Sequence, residues 1–89
     1  MRRYTVVWSN SADRDLVNFW LTSHHPEEVQ AGADYLEKLL GENPLGVGTN
    51  QSPLARTIEF GRVKLLYRVS EADRLVRILA VKEIPNTPW

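Results

Sequence analysis

The sequence predicts an α+β fold in the order β-α-α-β-β-β, with a helical hairpin laid over one face of a mainly antiparallel sheet. Three observations carry this. Alternating apolar and polar residues occur near the start of the chain and again throughout its last third. Two stretches between them repeat their apolar residues at helical spacing. The breaks separating these stretches are short and rich in Ser, Gly and Pro. With 89 residues, one hydrophobic core must supply most of the stability. Residues 1–84 are therefore read as a single domain, and 85–89 as a short C-terminal tail.

Tyr4-Thr-Val-Val-Trp8 alternates and is rich in aromatic and β-branched residues, which favours a strand. Ser9-Asn10-Ser11 offers three side chains able to cap a helix start, and Asp13 and Asp15 suit the positive end of its dipole. Ala12, Leu16, Phe19 and Trp20 then mark one helical face, with Trp8 and Trp20 as aromatic anchors at the strand–helix junction. Ser23-His24-His25-Pro26 breaks the helix. Pro26 is suited to open a second one, again with acids, Glu27 and Glu28, in its first turn. Val29, Ala33, Leu36 and Leu40 form its apolar stripe, widened by Leu39. Gly41 is the expected C-cap, and Pro44 prevents resumption. A break this short makes the two helices an antiparallel hairpin.

Residues 44–54 contain two glycines and two prolines and read as a loop. Three strands are expected at Ala55–Phe60, Val63–Val69 and Arg74–Glu83. Gly61-Arg62 provides a two-residue turn with glycine first, and Ser70–Asp73 a second turn. Strict alternation directs Ile58, Phe60, Val63, Leu65, Tyr67, Val69, Val76, Ile78 and Ala80 toward the helices. It directs Glu59, Lys64, Leu66, Arg68, Arg77, Leu79 and Val81 to the opposite face.

Composition removes several functional classes. There are no cysteines, which excludes thiolate metal sites, cysteine nucleophiles and disulfides. No apolar run reaches the length of a membrane span and no signal-peptide pattern follows Met1-Arg2-Arg3, so a cytoplasmic location is expected. Eleven basic residues balance eleven acidic ones, which argues against a domain-wide positive field for polyanions. The balance conceals a segregation. Residues 1–54 hold four basic and seven acidic side chains, and residues 55–89 hold seven basic and four acidic.

His24 and His25 read as turn residues, because no second ligand stands at metal-binding spacing; no metal is expected. Gly46-Val-Gly48 lacks the following Lys and helix of a phosphate loop. Trp89 reads as a side chain docked on the body of the domain. Lys64, Arg68 and Arg77 share one face with Leu66, Leu79 and Val81. As isolated features the three cations are solvated strand charges, with Glu59 a cross-strand partner. Together with the apolar residues they form a basic-rimmed apolar strip suited to an acidic amphipathic segment of a protein partner.

The run Arg56-Thr-Ile-Glu-Phe-Gly-Arg-Val-Lys-Leu-Leu-Tyr-Arg-Val69, followed by Arg74-Leu-Val-Arg-Ile-Leu-Ala-Val81, resembles the second half of the RelE/ParE superfamily. These are the toxins of bacterial type II toxin–antitoxin modules. The N-terminal strand, Asp-rich helix start and helical hairpin resemble its first half. The resemblance implies a cognate antitoxin as partner and no cofactor. It implies either a protein target such as DNA gyrase, or messenger RNA cleaved on the ribosome. For cleavage it carries over Lys64 alone, and a reduced catalytic site would be built from Lys64, Arg68 and Arg77, which alternation places on one face. Thr57, Glu59 and Ile84 stand where the nucleases of the family carry basic residues, so the resemblance favours a non-nuclease member, plasmid-stabilising in type, that acts on a protein target or is no longer toxic.

Overall fold

The computed structural model describes residues 3–84. The tail at 85–89, with Trp89, lies outside the described residues. Seven elements follow in order: β1 (Thr5–Trp8), α1 (Asn10–Thr22), α2 (Pro26–Glu42), β2 (Thr49–Ser52), β3 (Ala55–Phe60), β4 (Val63–Ser70) and β5 (Leu75–Glu83). The strands form one mixed sheet in the order β1-β5-β4-β3-β2. β1 runs parallel to β5, and the other neighbours are antiparallel. The expected β-α-α-β-β-β order is present. It is extended by β2, a short exposed edge strand inside the segment read as a loop. Thr49-Asn-Gln-Ser52 has no apolar alternation, because neither of its faces is buried.

The start of α1 is set by Ser9. Its hydroxyl accepts the Ala12 amide at 3.0 Å and donates to the Leu79 carbonyl at 3.2 Å, while its own amide donates to the Ile78 carbonyl at 2.9 Å. The cap therefore ends β1 and moors α1 to β5 at the same point. Pro26 opens α2 as read. The helix runs through Gly41 to Glu42, however, and Asn43 is its C-cap. Gly41 stays helical, and its carbonyl accepts the Tyr4 amide at 2.8 Å, which ties the helix end to the start of β1.

The core is built from Ala12, Val29, Ala33, Leu36 and Leu40 of the helices against Ile58, Val63, Leu65, Tyr67, Val76, Ile78 and Val81 of the sheet. Gly32 lets α2 approach the β3–β4 hairpin, since a Cβ there would stand 3.1 Å from both the Phe60 carbonyl and Val63 Cγ2. Trp8 packs against the core and donates its indole N–H to Glu37 at 2.7 Å. Trp20, expected beside it, is 52% exposed. Helical spacing put it on the edge of the apolar stripe. Phe60 does face α2, yet it is 49% exposed and packs on the Tyr35 ring at a centroid distance of 4.3 Å.

β5 contains a bulge. Leu66 pairs with Ala80 but Tyr67 pairs with Ile78, so Leu79 is an extra residue opposite no partner. Beyond it the alternation is inverted. Val81 pairs with Leu65 and is 2% exposed. The reading that placed Val81 on the outer face and Ala80 on the inner one is therefore corrected: Val81 is core, and Ala80 lies outward with Leu66.

Tyr67 is fully buried, and its hydroxyl organises the connection from α2 to β2. It lies 2.9 Å from the Pro44 carbonyl and 3.0 Å from the Val47 carbonyl, to which it donates, and it accepts Arg56 Nε at 3.2 Å. Arg56 also reaches Asn50 Oδ1 at 2.7 Å and the Val47 carbonyl at 3.0 Å. Gly48, at φ +72°, lies so close that a Cβ would come 2.6 Å from the Tyr67 hydroxyl and 2.5 Å from the Thr57 carbonyl. Replacing Tyr67 by Phe strands these acceptors. Tyr67→Phe is expected to lower unfolding stability by about 1–3 kcal/mol in urea titration, with an unchanged slope.

Candidate functional site

The face of the sheet opposite the helices is assembled from alternate residues of every strand. Because directly paired residues share a face, the register defines its rows. One row carries Lys82, Lys64 and Glu59 on β5, β4 and β3. The next carries Ala80, Leu66, Thr57 and Thr49. A third carries Val7, Arg77 and Arg68 on β1, β5 and β4. Thr5, Leu75 and Ser70 complete the end of the face.

Two cation pairs are thus placed directly opposite one another, Lys64 with Lys82 and Arg68 with Arg77, separated by the apolar pair Leu66 and Ala80. Glu59 is the one carboxylate at the paired outward positions. Like charges opposed across neighbouring strands destabilise a sheet. Arg68 and Arg77 are both exposed and form no ion pair among the described residues. Arg62 and Arg56, from the same basic half of the chain, are employed otherwise. Arg62 Nε binds Glu28 Oε2 at 2.8 Å, and Arg56 holds the β2 connection.

Two shallow depressions open on this face. One, of about 370 Å³, is lined by Gly48, Thr49, Thr57, Ile58, Glu59 and Lys64. Thr57 is 5% exposed there, and its hydroxyl lies 3.2 Å from that of Thr49. The other, of about 250 Å³, is lined by Arg68, Val69, Ser70, Asp73, Leu75 and Arg77.

Of the residues selected from sequence, Lys64, Leu66, Arg68 and Arg77 lie together on the outer face. Leu79 is the half-buried bulge residue, and Val81 is in the core. Lys82 was missed. Strict alternation from Arg77 points it inward, and the bulge turns it out beside Lys64. The apolar run Ile78-Leu79-Ala80-Val81 breaks alternation where the bulge lies, but Val6-Val7-Trp8 in the regular strand β1 shows that such a run alone does not specify one. His24 and His25 are exposed, with His25 Nδ1 3.4 Å from Glu28 Oε2. Among the described residues, no cluster of three or more His, Asp or Glu side chains could hold a metal ion. No described helix is long and apolar enough to cross a membrane.

A strand, a helical hairpin and an antiparallel meander with the helices on one face make up a fold shared with the RelE/ParE toxins, and structural neighbours of this chain include toxins of type II toxin–antitoxin systems. One is in the RelBE2 toxin–antitoxin complex of Mycobacterium tuberculosis. It is 27% identical with a TM-score of 0.74, over 91% of this chain and 98% of that one. Another is in the chromosomal ParDE system of P. aeruginosa, 19% identical with a TM-score of 0.69, over 91% and 96%. The fold also matches 36% of TrmO from Pseudomonas aeruginosa, at 18% identity and a TM-score of 0.60 over 91% of this chain. Architecture by itself therefore leaves function to the site. No protein-family model and no curated protein sequence matches the chain.

The opposed arginines give a direct test of the electrostatics. Arg77→Gln removes one member of a like-charge pair on a solvated face. It is expected to raise stability by about 0.2–1 kcal/mol at low ionic strength. The gain should shrink toward zero in 0.5 M salt, as read by denaturant titration at the two salt concentrations.

Proposed function

We propose that this chain is the toxin-like component of a type II toxin–antitoxin system, and that its outer sheet face receives a segment of the cognate antitoxin. The observation that carries the reading is the exposed, directly opposed pair Arg68 and Arg77 beside the apolar row Leu66 and Ala80, on the face of the sheet opposite the helices. Such a couple costs folding stability, and an anionic partner converts that cost into binding energy. The apolar row supplies the anchor, and the cations supply the rim and the steering field. Lys64, Leu66, Arg68 and Arg77 are assigned to partner binding, and Lys82 joins them. The likeness to toxins found in RelBE and ParDE complexes supports the same class of partner.

In this reading the chain acts on a protein target such as DNA gyrase, or is no longer toxic. Cleavage of RNA by 2′-hydroxyl attack needs a base, stabilisation of the phosphorane and an acid for the leaving oxygen. The face offers cations and one carboxylate. The positions where nucleases of the family carry further cations hold Thr57, buried and hydrogen-bonded to Thr49, Glu59, and Ile84, whose amide donates to the Arg62 carbonyl at 2.8 Å. A ribosome-dependent nuclease built on Lys64, Arg68 and Arg77 is the second reading. The opposed Lys64 and Lys82 are the feature in its favour, since directly paired residues have Cβ atoms about 5 Å apart and two long side chains so placed can converge on one phosphate.

Two measurements separate these readings. Charge reversal at Arg68 and Arg77 should weaken co-purification with the product of the adjacent gene by at least tenfold; unchanged recovery would remove the face from the proposal. Primer extension on translated messages after induction should show no ribosomal A-site cuts. Cuts that disappear in a Lys64→Ala, Arg77→Ala double variant would establish the nuclease reading instead.

A further inference from the structure

The depression of about 250 Å³ at the turn end of β4 and β5 brings both exposed arginines together with Ser70, Asp73 and Leu75. The other described arginines of the basic half are engaged internally. Arg56 holds the β2 connection, Arg62 binds Glu28, and the Arg74 guanidinium lies 5.1 Å from the centre of the Tyr4 ring. Arg68 and Arg77 stand directly opposite one another and form no ion pair among the described residues. Asp73 is the one carboxylate lining the depression, and its Oδ2 accepts the Ser70 hydroxyl at 3.1 Å. The turn that carries it is held on both sides. Arg74, at φ +53°, donates its amide to the Glu71 carbonyl at 3.3 Å, and its own carbonyl accepts the Thr5 amide of β1 at 2.8 Å.

Directly paired strand residues have Cβ atoms about 5 Å apart, so two guanidinium forks placed there can close on one tetrahedral oxyanion. Each fork matches a pair of phosphate oxygens, and two of them balance the charge of about −1.5 to −2 on a phosphomonoester. A phosphodiester carries a single charge and continues in both directions. The β4–β5 turn, which supplies Asp73, bounds this depression on one side and favours a terminal group. With Oδ2 occupied by Ser70, Asp73 keeps Oδ1 as an acceptor for a hydroxyl, as carboxylates that bind ribose do.

We propose that this depression binds a small phosphorylated polyol, its phosphomonoester held between the Arg68 and Arg77 guanidiniums and a hydroxyl donating to Asp73. Sugar phosphates and ribonucleoside monophosphates share this chemistry. A diffuse basic patch would accept any anion, whereas opposed forks beside a fixed carboxylate select a phosphate that carries a hydroxyl at short range. The site uses two residues of the partner face, but it does not rest on the toxin reading.

The experiment titrates the whole 15N-labelled protein, in phosphate-free buffer at 50 mM salt, with ribose 5-phosphate, adenosine 5′-monophosphate and methyl phosphate. Amide shifts at residues 68–77 should saturate with the first two, and methyl phosphate should bind at least fivefold more weakly. Tighter binding of the adenosine ligand than of ribose 5-phosphate identifies a nucleotide as the source; equal affinity identifies a sugar phosphate. An Arg68→Lys, Arg77→Lys double variant keeps both charges and should lose at least tenfold in affinity, because the forks are gone. Asp73→Ala should bind methyl phosphate no more weakly than the unaltered protein, while the advantage of ribose 5-phosphate disappears. The absence of saturable shifts at these residues overturns the site. So does undiminished binding by the lysine variant, which would mean charge without geometry. Equal affinity there for an RNA trinucleotide with a 5′-hydroxyl, which offers only diesters, overturns the terminal group. None of these results bears on the partner surface, which charge reversal at Arg68 and Arg77 tests through the neighbouring gene's product.

Discussion

The carbonyls of Ile78 and Leu79 are both bound by Ser9, one through its amide and one through its hydroxyl, and the same hydroxyl caps α1. That small junction is where β5 takes up its extra residue. A bulge leaves backbone groups without ladder partners and bends the strand, so it persists where something else satisfies them. Here the Ser9 side chain does so, at the point where β1 gives way to a helix. Everything on β5 beyond Leu79 depends on this junction. It puts Val81 against Leu65 in the core, turns Ala80 and Lys82 outward, and aligns Lys82 with Lys64. Without the bulge the outer face would carry Leu79 and Val81 in place of Ala80 and Lys82 and would have one cation pair instead of two.

The second organising contact is the Tyr67 hydroxyl, which gathers the α2–β2 connection and Arg56 into one buried network. It explains how the basic half of the chain is divided. Arg56 and Arg62 serve the fold, one by holding the connection and the other by bridging to Glu28 on α2. Arg68 and Arg77 are left opposed and exposed, with Lys64 and Lys82 opposed two rows away. The overall charge of zero is thus a sum over surfaces of different character: an acidic helical hairpin, and a sheet face whose paired outward positions hold four cations and one carboxylate.

Elements whose signals are local were legible in the sequence. Ser9 was among three candidate caps, Pro26 opens α2 as its chemistry requires, and Gly61 at φ +61° makes the β3–β4 turn. The placement of Glu59, Lys64, Leu66, Arg68 and Arg77 on one face followed from alternation, because β3 and β4 are regular there. What escaped was set by tertiary context. β2 has no buried face and so no pattern. Gly41 continues the helix because its carbonyl has Tyr4 to bind. Trp20, at the edge of the stripe that helical spacing marks, is exposed. Val81 and Lys82 exchanged faces because alternation counts residues, and a bulge changes the count without changing the composition.

The bulge at Leu79 sets which side chains form the outer face of the sheet. The chain's lack of cysteine makes this directly measurable. Single cysteines introduced as Ala80→Cys, Val81→Cys and Lys82→Cys can be titrated with a charged maleimide in the native protein. Ready labelling at 80 and 82 with strong protection at 81 is expected. Ready labelling at 81 with protection at 80 and 82 would overturn the bulged register, and with it the alignment of Lys82 with Lys64 on the outer face.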